Sequence, residues 1–324
     1  MKRIRTSHED IQTQYRAIYE ALFGTPRINI YDIASILHVD RNTVSKRMKK
    51  ALELRILTGP QIRKKSFSNL MEYVYFGKFD DPVESYMHYR ENKNVVFLAL
   101  LDGFADLWIM SNKELHIEGD EIIGGPRSDF YGKLAPDHTW ETAKKNMKKK
   151  VVQFDPSDYT PQNLIKTHWN DTAVWDAEFE ILYRELKYNL RKKQTPIRKK
   201  YLLSGSKIQK WFEKLPEYCT VITSYFPETL VTYIPYVLVV ETDYEDFIIE
   251  LFSELPTSSL FFKVSNQLFL YLFLDKSFLL ENTNILGLEL NRLFMRLLMR
   301  DLLKRGIIRG ESHAHPECYY RKNL

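Results

Sequence analysis

Cysteine is nearly missing from this sequence, and so are phosphate-cradling glycine loops, long apolar runs and nucleophile motifs. Cys219 and Cys318 are the only two cysteines in 324 residues, too few for a disulfide framework. No stretch is long and apolar enough for a membrane helix, and no N-terminal signal pattern is visible, so a soluble chain in a reducing cytoplasm is expected, with no membrane partner. No nucleophile elbow, P-loop or dinucleotide fingerprint occurs, which argues against the enzyme classes those motifs serve. Charge of one sign is not in large excess: 47 Lys and Arg stand against 42 Asp and Glu, a net +5. That balance permits a nucleic-acid partner without demanding one, so local clusters must carry the argument.

What is present is an internal duplication. Tyr15, Ile18, Leu22, Ile33, Leu37, Val39, Val44 and Met48 recur at a constant offset of 164 residues as Phe179, Leu182, Leu186, Ile197, Tyr201, Leu203, Ile208 and Phe212. After the loss of one residue the register continues, with Tyr73–Phe76 facing Tyr236–Val239 and Leu107–Ile109 facing Leu270–Leu272. The apolar skeleton is kept while the polar positions between differ, as expected for two copies of one fold with divergent surfaces. The period is far longer than a solenoid repeat of about 20–50 residues, so this is a tandem of domains.

Within the first copy, Ile11, Tyr15, Ile18 and Leu22 have helical spacing, and Gly24-Thr25-Pro26 ends that helix. Ile30 to Leu37 reads as a second helix. Asp40 caps a third that runs to about Leu54, with Val44, Met48 and Ala51 on its inner side. Thr58 to Lys65 reads as a wing. Met71–Phe79, Pro82–Arg90, Val95–Leu101 and Leu107–Met110 then spell β, α, β, β, with a second copy at Val237–Glu241, Tyr244–Leu255, Leu260–Val264 and Leu268–Leu274. Residues 113 to 165 read as an irregular linker with a lysine run at Lys144–Lys150, and Ile285 to Arg305 as a strong helix with a basic stripe of Arg292, Arg296, Arg300 and Lys304.

Three helices followed by βαββ resemble the Lrp/AsnC family of transcription regulators. The resemblance rests on Ile33-Ala34, Leu37, Val39, Thr43-Val44, Arg47, Leu52 and Ile56-Leu57, and on the hairpin signature G-x-x-D at Gly103–Asp106. Asp40 and Arg55 stand where the family usually has serine and glycine. The implied fold class is α+β, with tandem winged helix-turn-helix domains each followed by an open βαββ sheet domain, ferredoxin-like and of RAM type. The expected boundaries are 1–65, 70–112, a linker at 113–170, 171–227, 231–275, and a C-terminal helix and tail at 280–324. The implied function is a sequence-specific regulator of archaeal or bacterial type that binds double-stranded DNA. It is expected not to be an enzyme, to need no cofactor or metal, to answer to a small-molecule effector such as an amino acid, and to form homo-oligomers through its βαββ domains. The two copies within one chain would stand in for the two subunits of a relative's dimer.

On this reading Asn42, Thr43, Ser45, Lys46 and Lys49 face the bases, while Arg41, Arg47 and Lys50 meet phosphates. In the second copy Arg47 is replaced by Trp211, and Lys199, Lys200, Lys207, Lys210 and Lys214 would grip the backbone through released counterions. Gly103 and Asp106 mark the effector hairpin, which Asn266 and Phe269 replace in the second copy. His313-Ala314-His315-Pro316-Glu317-Cys318 holds metal-ligand types, yet a structural zinc site needs four ligands, so the stretch is expected to be a disordered polar tail. Two rivals remain. Siroheme decarboxylases resemble the same family and use its two-domain unit for tetrapyrrole chemistry, with a basic, histidine-bearing pocket between sheet domains as the expected mark. A protein-interaction scaffold is the other.

Overall fold

A computed structural model describes residues 7–279 and 294–321. Its chain divides into two compact units, each assembled from both copies. The first holds 1–63, 175–232 and 256–258, and the second 64–174, 233–255 and 259–324.

The first unit contains the helix-turn-helix modules. α1 (His8–Gly24), α2 (Ile30–Leu37), α3 (Arg41–Glu53) and β1 (Leu57–Lys64) form one, and α6 (Ala177–Leu186), α7 (Gln194–Tyr201), α8 (Gly205–Tyr218) and β6 (Cys219–Tyr225) the other. Their turns repeat in detail. His38 and Leu202 both end a helix in the left-handed region, at φ 52° and 54°. Two residues later Asp40 accepts from the amides of Asn42 and Thr43, and Ser204 from that of Lys207. Ile18, Leu22, Val44, Leu182, Leu186 and Ile208 are buried, which accounts for the skeleton that the duplication kept. The two wing strands, β1 and β6, pair with each other in a two-stranded sheet.

The second unit is built on one antiparallel sheet. Its strands are β2 (Tyr73–Lys78), β3 (Val95–Gly103), β4 (Leu107–Ser111), β5 (Asp120–Pro126), β7 (Ile234–Glu241), β8 (Leu260–Val264), β9 (Gln267–Leu274) and β10 (Gly310–Arg321), in the order β5-β2-β4-β3-β10-β7-β9-β8. α4 (Pro82–Glu91) covers the first half. α5 (Trp140–Gln153), α9 (Glu245–Phe252) and α11 (Phe294–Lys304) cover the second, over a core of Leu238, Ile248, Phe252, Leu270 and Leu298. Strand alternation sorts side chains between that helix-covered face and an opposite face carrying Phe76, Trp108, Phe262 and Phe269.

Three features differ from the sequence expectation. Each βαββ gains a fourth strand, β5 or β10, and the sheet is not open: Arg127 bridges to Val264 and Tyr131 to Phe261, joining the two edge strands' flanks. Such joining removes exposed ladder edges. Residues 113–170 are no mere linker, because α5 buries Ala143, Met147 and Val151 at helical spacing beneath its lysines. The stretch expected to be a disordered polar tail is β10, the strand that joins the two copies, hydrogen-bonded to β3 and to β7. Its Pro316, which cannot donate to a ladder, sits at an irregularity in the register. The basic helix is described only as Phe294–Lys304; Arg292 and the rest of 285–293 lie outside the described residues.

Candidate functional site

The seam of the sheet gathers chemistry that the sequence scatters. On β10, His313 and His315 are two residues apart and therefore share a face, and both meet Tyr236 of β7. His313 stacks on the Tyr236 ring at 5.3 Å, and His315 meets it edge-on at 5.0 Å. The two imidazoles lie 6.3 Å apart. His313 is half exposed and has Glu311 at 3.4 Å from Nδ1. His315 is more enclosed and bonds the Pro235 backbone; burial, with a smaller push from His313, lowers its pKa and favours the neutral ring. Burial and the Glu311 charge raise the pKa of Tyr236, so its phenol keeps its proton.

Neighbouring groups border this strip. Cys318 of β10 hydrogen-bonds Tyr86 of α4, and the Arg90 guanidinium lies 5.4 Å over the Tyr320 ring. Val83 and Met87, on the helical face they share with Tyr86 and Arg90, are 63% and 49% exposed. The strip thus presents one open imidazole, one neutral imidazole, a protonated phenol and exposed apolar side chains. Among the described residues no three histidine, cysteine or carboxylate groups converge to hold a bare metal ion.

Gly103 and Asp106 lie beside this seam. A Cβ on Gly103 would sit 2.4 Å from the His313 carbonyl oxygen, and its φ is +146°, so glycine is what lets β10 run close to the hairpin there. The Asp106 carboxylate accepts from the Phe79 amide at 2.9 Å, with Lys78 3.9 Å away.

The residues expected at DNA are placed as follows. Asn42, Ser45, Lys46, Lys49 and Lys50 are exposed on α3. Arg41 donates to the Tyr31 hydroxyl, Thr43 to the Asp40 carboxylate and Arg47 to Gln14, so these three are engaged inside the protein. In the second copy Lys200 pairs with Glu185, Lys207 with Asp176 and Glu178, and Lys214 with Glu217, whereas Lys199 and Lys210 are exposed. The basic cluster therefore spends much of its charge on its own acids. The sequence showed His313 and His315 as ligand types in an expected tail and Tyr236 only as a repeat position; the His-x-His spacing, which puts two rings on one strand face, was the available signal.

No protein-family model and no curated protein matches the chain. Among solved structures, the siroheme decarboxylase NirDL is similar over 95% of this chain and 92% of its own, at 12% identity and a TM-score of 0.47. NirDL in complex with an iron-uroporphyrin III analogue is similar over 94% and 92%, at 10% identity and 0.45. AsnC of E. coli is similar over 31% of this chain and 70% of its own, at 18% identity and 0.25. The likeness along the whole chain is to an enzyme. The expectation of a DNA-binding regulator without enzymatic activity is corrected here, the solved structures similar along nearly the whole chain being those of a siroheme decarboxylase. Among the described residues no helix is long and apolar enough to cross a membrane.

Proposed function

We propose that the chain is a tetrapyrrole enzyme, with an iron-bearing, carboxylate-decorated macrocycle as substrate and loss of carboxylate side chains as its reaction. The observation that carries this reading is the meeting of His313, His315 and Tyr236 where the two copies join. A basic, histidine-bearing site between sheet domains is the mark by which the decarboxylase reading differs from the regulator reading. His313 is the candidate axial ligand, Val83 and Met87 offer apolar area to a flat ring, and Arg90 is a partner for a peripheral carboxylate. In the decarboxylation the bond between the side-chain methylene and its carboxylate breaks, CO2 leaves, and a proton takes the vacated position. Tyr236 and His315 are the proton-carrying groups proposed to serve that position.

The test is an anaerobic absorbance titration with an iron-uroporphyrin III analogue, followed by mass analysis of siroheme incubated with the protein. The expected result is a saturable shift of the Soret band that His313→Ala diminishes, together with products lighter by CO2. An unshifted spectrum and unchanged siroheme would refute the reading.

A further inference from the structure

The opposite face of the sheet carries a second feature, independent of the histidine strip. Trp108 is 3% exposed, and its indole Nε1 has no hydrogen-bond partner among the described residues. A buried indole N–H ordinarily finds an acceptor, and leaving one unmet costs about 1–3 kcal/mol, so it demands an explanation. The surroundings are aromatic: Phe76 stacks at 5.4 Å, Phe262 at 5.9 Å, and Phe97 and Tyr271 meet the indole edge-on at 4.9 and 5.6 Å.

The site is also approachable. Phe97 and Tyr271 are partly exposed, and Tyr319, which stacks with Phe97, is exposed. Beside Trp108 in the ladder stands Ala99, a small side chain between two large ones, since Ala99 is paired with Trp108 on one side and with Tyr319 on the other.

We propose that this aromatic face is a second ligand site, which takes an uncharged, flat, conjugated ring carrying a carbonyl or ring-nitrogen acceptor for the Trp108 N–H. Aromatic lining favours stacked or edge-on rings. None of the rings around the indole carries a charge to compensate a buried carboxylate, so the acceptor is neutral. The site differs from the proposed macrocycle strip in face, in residues and in ligand charge. Its standing does not depend on the tetrapyrrole reading.

The experiment uses the full chain labelled with 15N-tryptophan, titrated with coumarin, a flat neutral ring with a carbonyl, and with naphthalene, which has similar size and no acceptor. Trp108→Phe assigns the indole signal by its disappearance. Coumarin is expected to move the Trp108 N–H signal downfield with saturation, and naphthalene to bind about 5-fold more weakly, the size of one net hydrogen bond. In Trp108→Phe the preference for coumarin over naphthalene should vanish while ring binding persists. Equal affinity for both probes, a preference retained in Trp108→Phe, or an indole signal that neither probe moves would overturn the proposal. The comparison of probes on the unaltered protein keeps the test intact if the variant does not fold. Histidine-strip variants should leave coumarin binding unchanged, which separates failure here from failure of the tetrapyrrole reading.

Discussion

Replacing Arg127 by methionine should be among the costliest single changes in the second unit. The guanidinium is 1% exposed and faces a Glu72 carboxylate that is 9% exposed, with Nε to Oε2 at 2.9 Å. It also donates to the carbonyls of Ser128 at 2.6 Å and Lys64 at 2.8 Å, and lies 4.3 Å over the Phe130 ring. Methionine fills most of the volume but removes the guanidinium from a buried carboxylate and takes the donor away from two carbonyls. Breaking a buried pair from one side costs about 3–5 kcal/mol, because the remaining charge stays desolvated. At about 2–4 °C per kcal/mol for a unit of this size, the melting temperature should fall by roughly 6–20 °C. Thermal unfolding monitored by near-ultraviolet circular dichroism is the assay, with urea unfolding giving the free-energy difference. Replacing both partners, Arg127→Met with Glu72→Met, should recover much of the loss, since no charge is then left buried. A single variant within about 1 kcal/mol of the parent, or a double variant less stable than the single one, would refute the reasoning.

Three further outcomes are expected. Hydrogen bonds from Lys192, Tyr201 and Lys200 lower the Glu185 pKa to about 2. Because the folded value is depressed, that stabilisation is present above the ordinary 4.5 and lost as pH falls toward 2; Glu185→Gln should flatten the acid limb of the first unit's stability curve. His315 also has a folded pKa below its ordinary 6.5, so the unfolded chain takes the proton first and stability should drop as pH falls below that value; an imidazole titration by NMR that gave 6.5 or higher would contradict this. Gly103→Ala should destabilise the β3–β10 junction, because its Cβ would meet the His313 oxygen at 2.4 Å; hydrogen exchange of the Phe104 amide, which bonds that oxygen at 3.1 Å, should accelerate, and unchanged protection would count against the close approach.

The legible parts of the sequence were those whose signals are local. The cap at Asp40 lies within a few residues of the helix it sets, so local spacing revealed it, and the duplicated register carries the same turn to Leu202 and Ser204 in the structure. Gly103 stood out as a hairpin residue, yet the contact that requires glycine comes from His313, about two hundred positions later, which no local pattern encodes. β10 was read as a tail because its exposed His313, Glu317 and Cys318 hide the alternation around the buried Ala314. A strand's partners are set by tertiary context, and the histidine site was invisible until β3 and β7 took their places on either side. In α5 five lysines masked a narrow buried stripe, and solvated length was mistaken for a tether.

The position of β10 has a consequence for the order of assembly. In the middle of the sheet, strands of the first copy meet those of the second through residues 310–321, so in a growing chain β3 and β7 keep unpaired edges until those residues are made. Contacts spanning some two hundred residues close slowly, and bare edges invite pairing with other chains in the interval. Synthesis that stalls before residue 310 should therefore leave a nascent product prone to aggregation, with the facing edges of β3 and β7 bare until β10 is made.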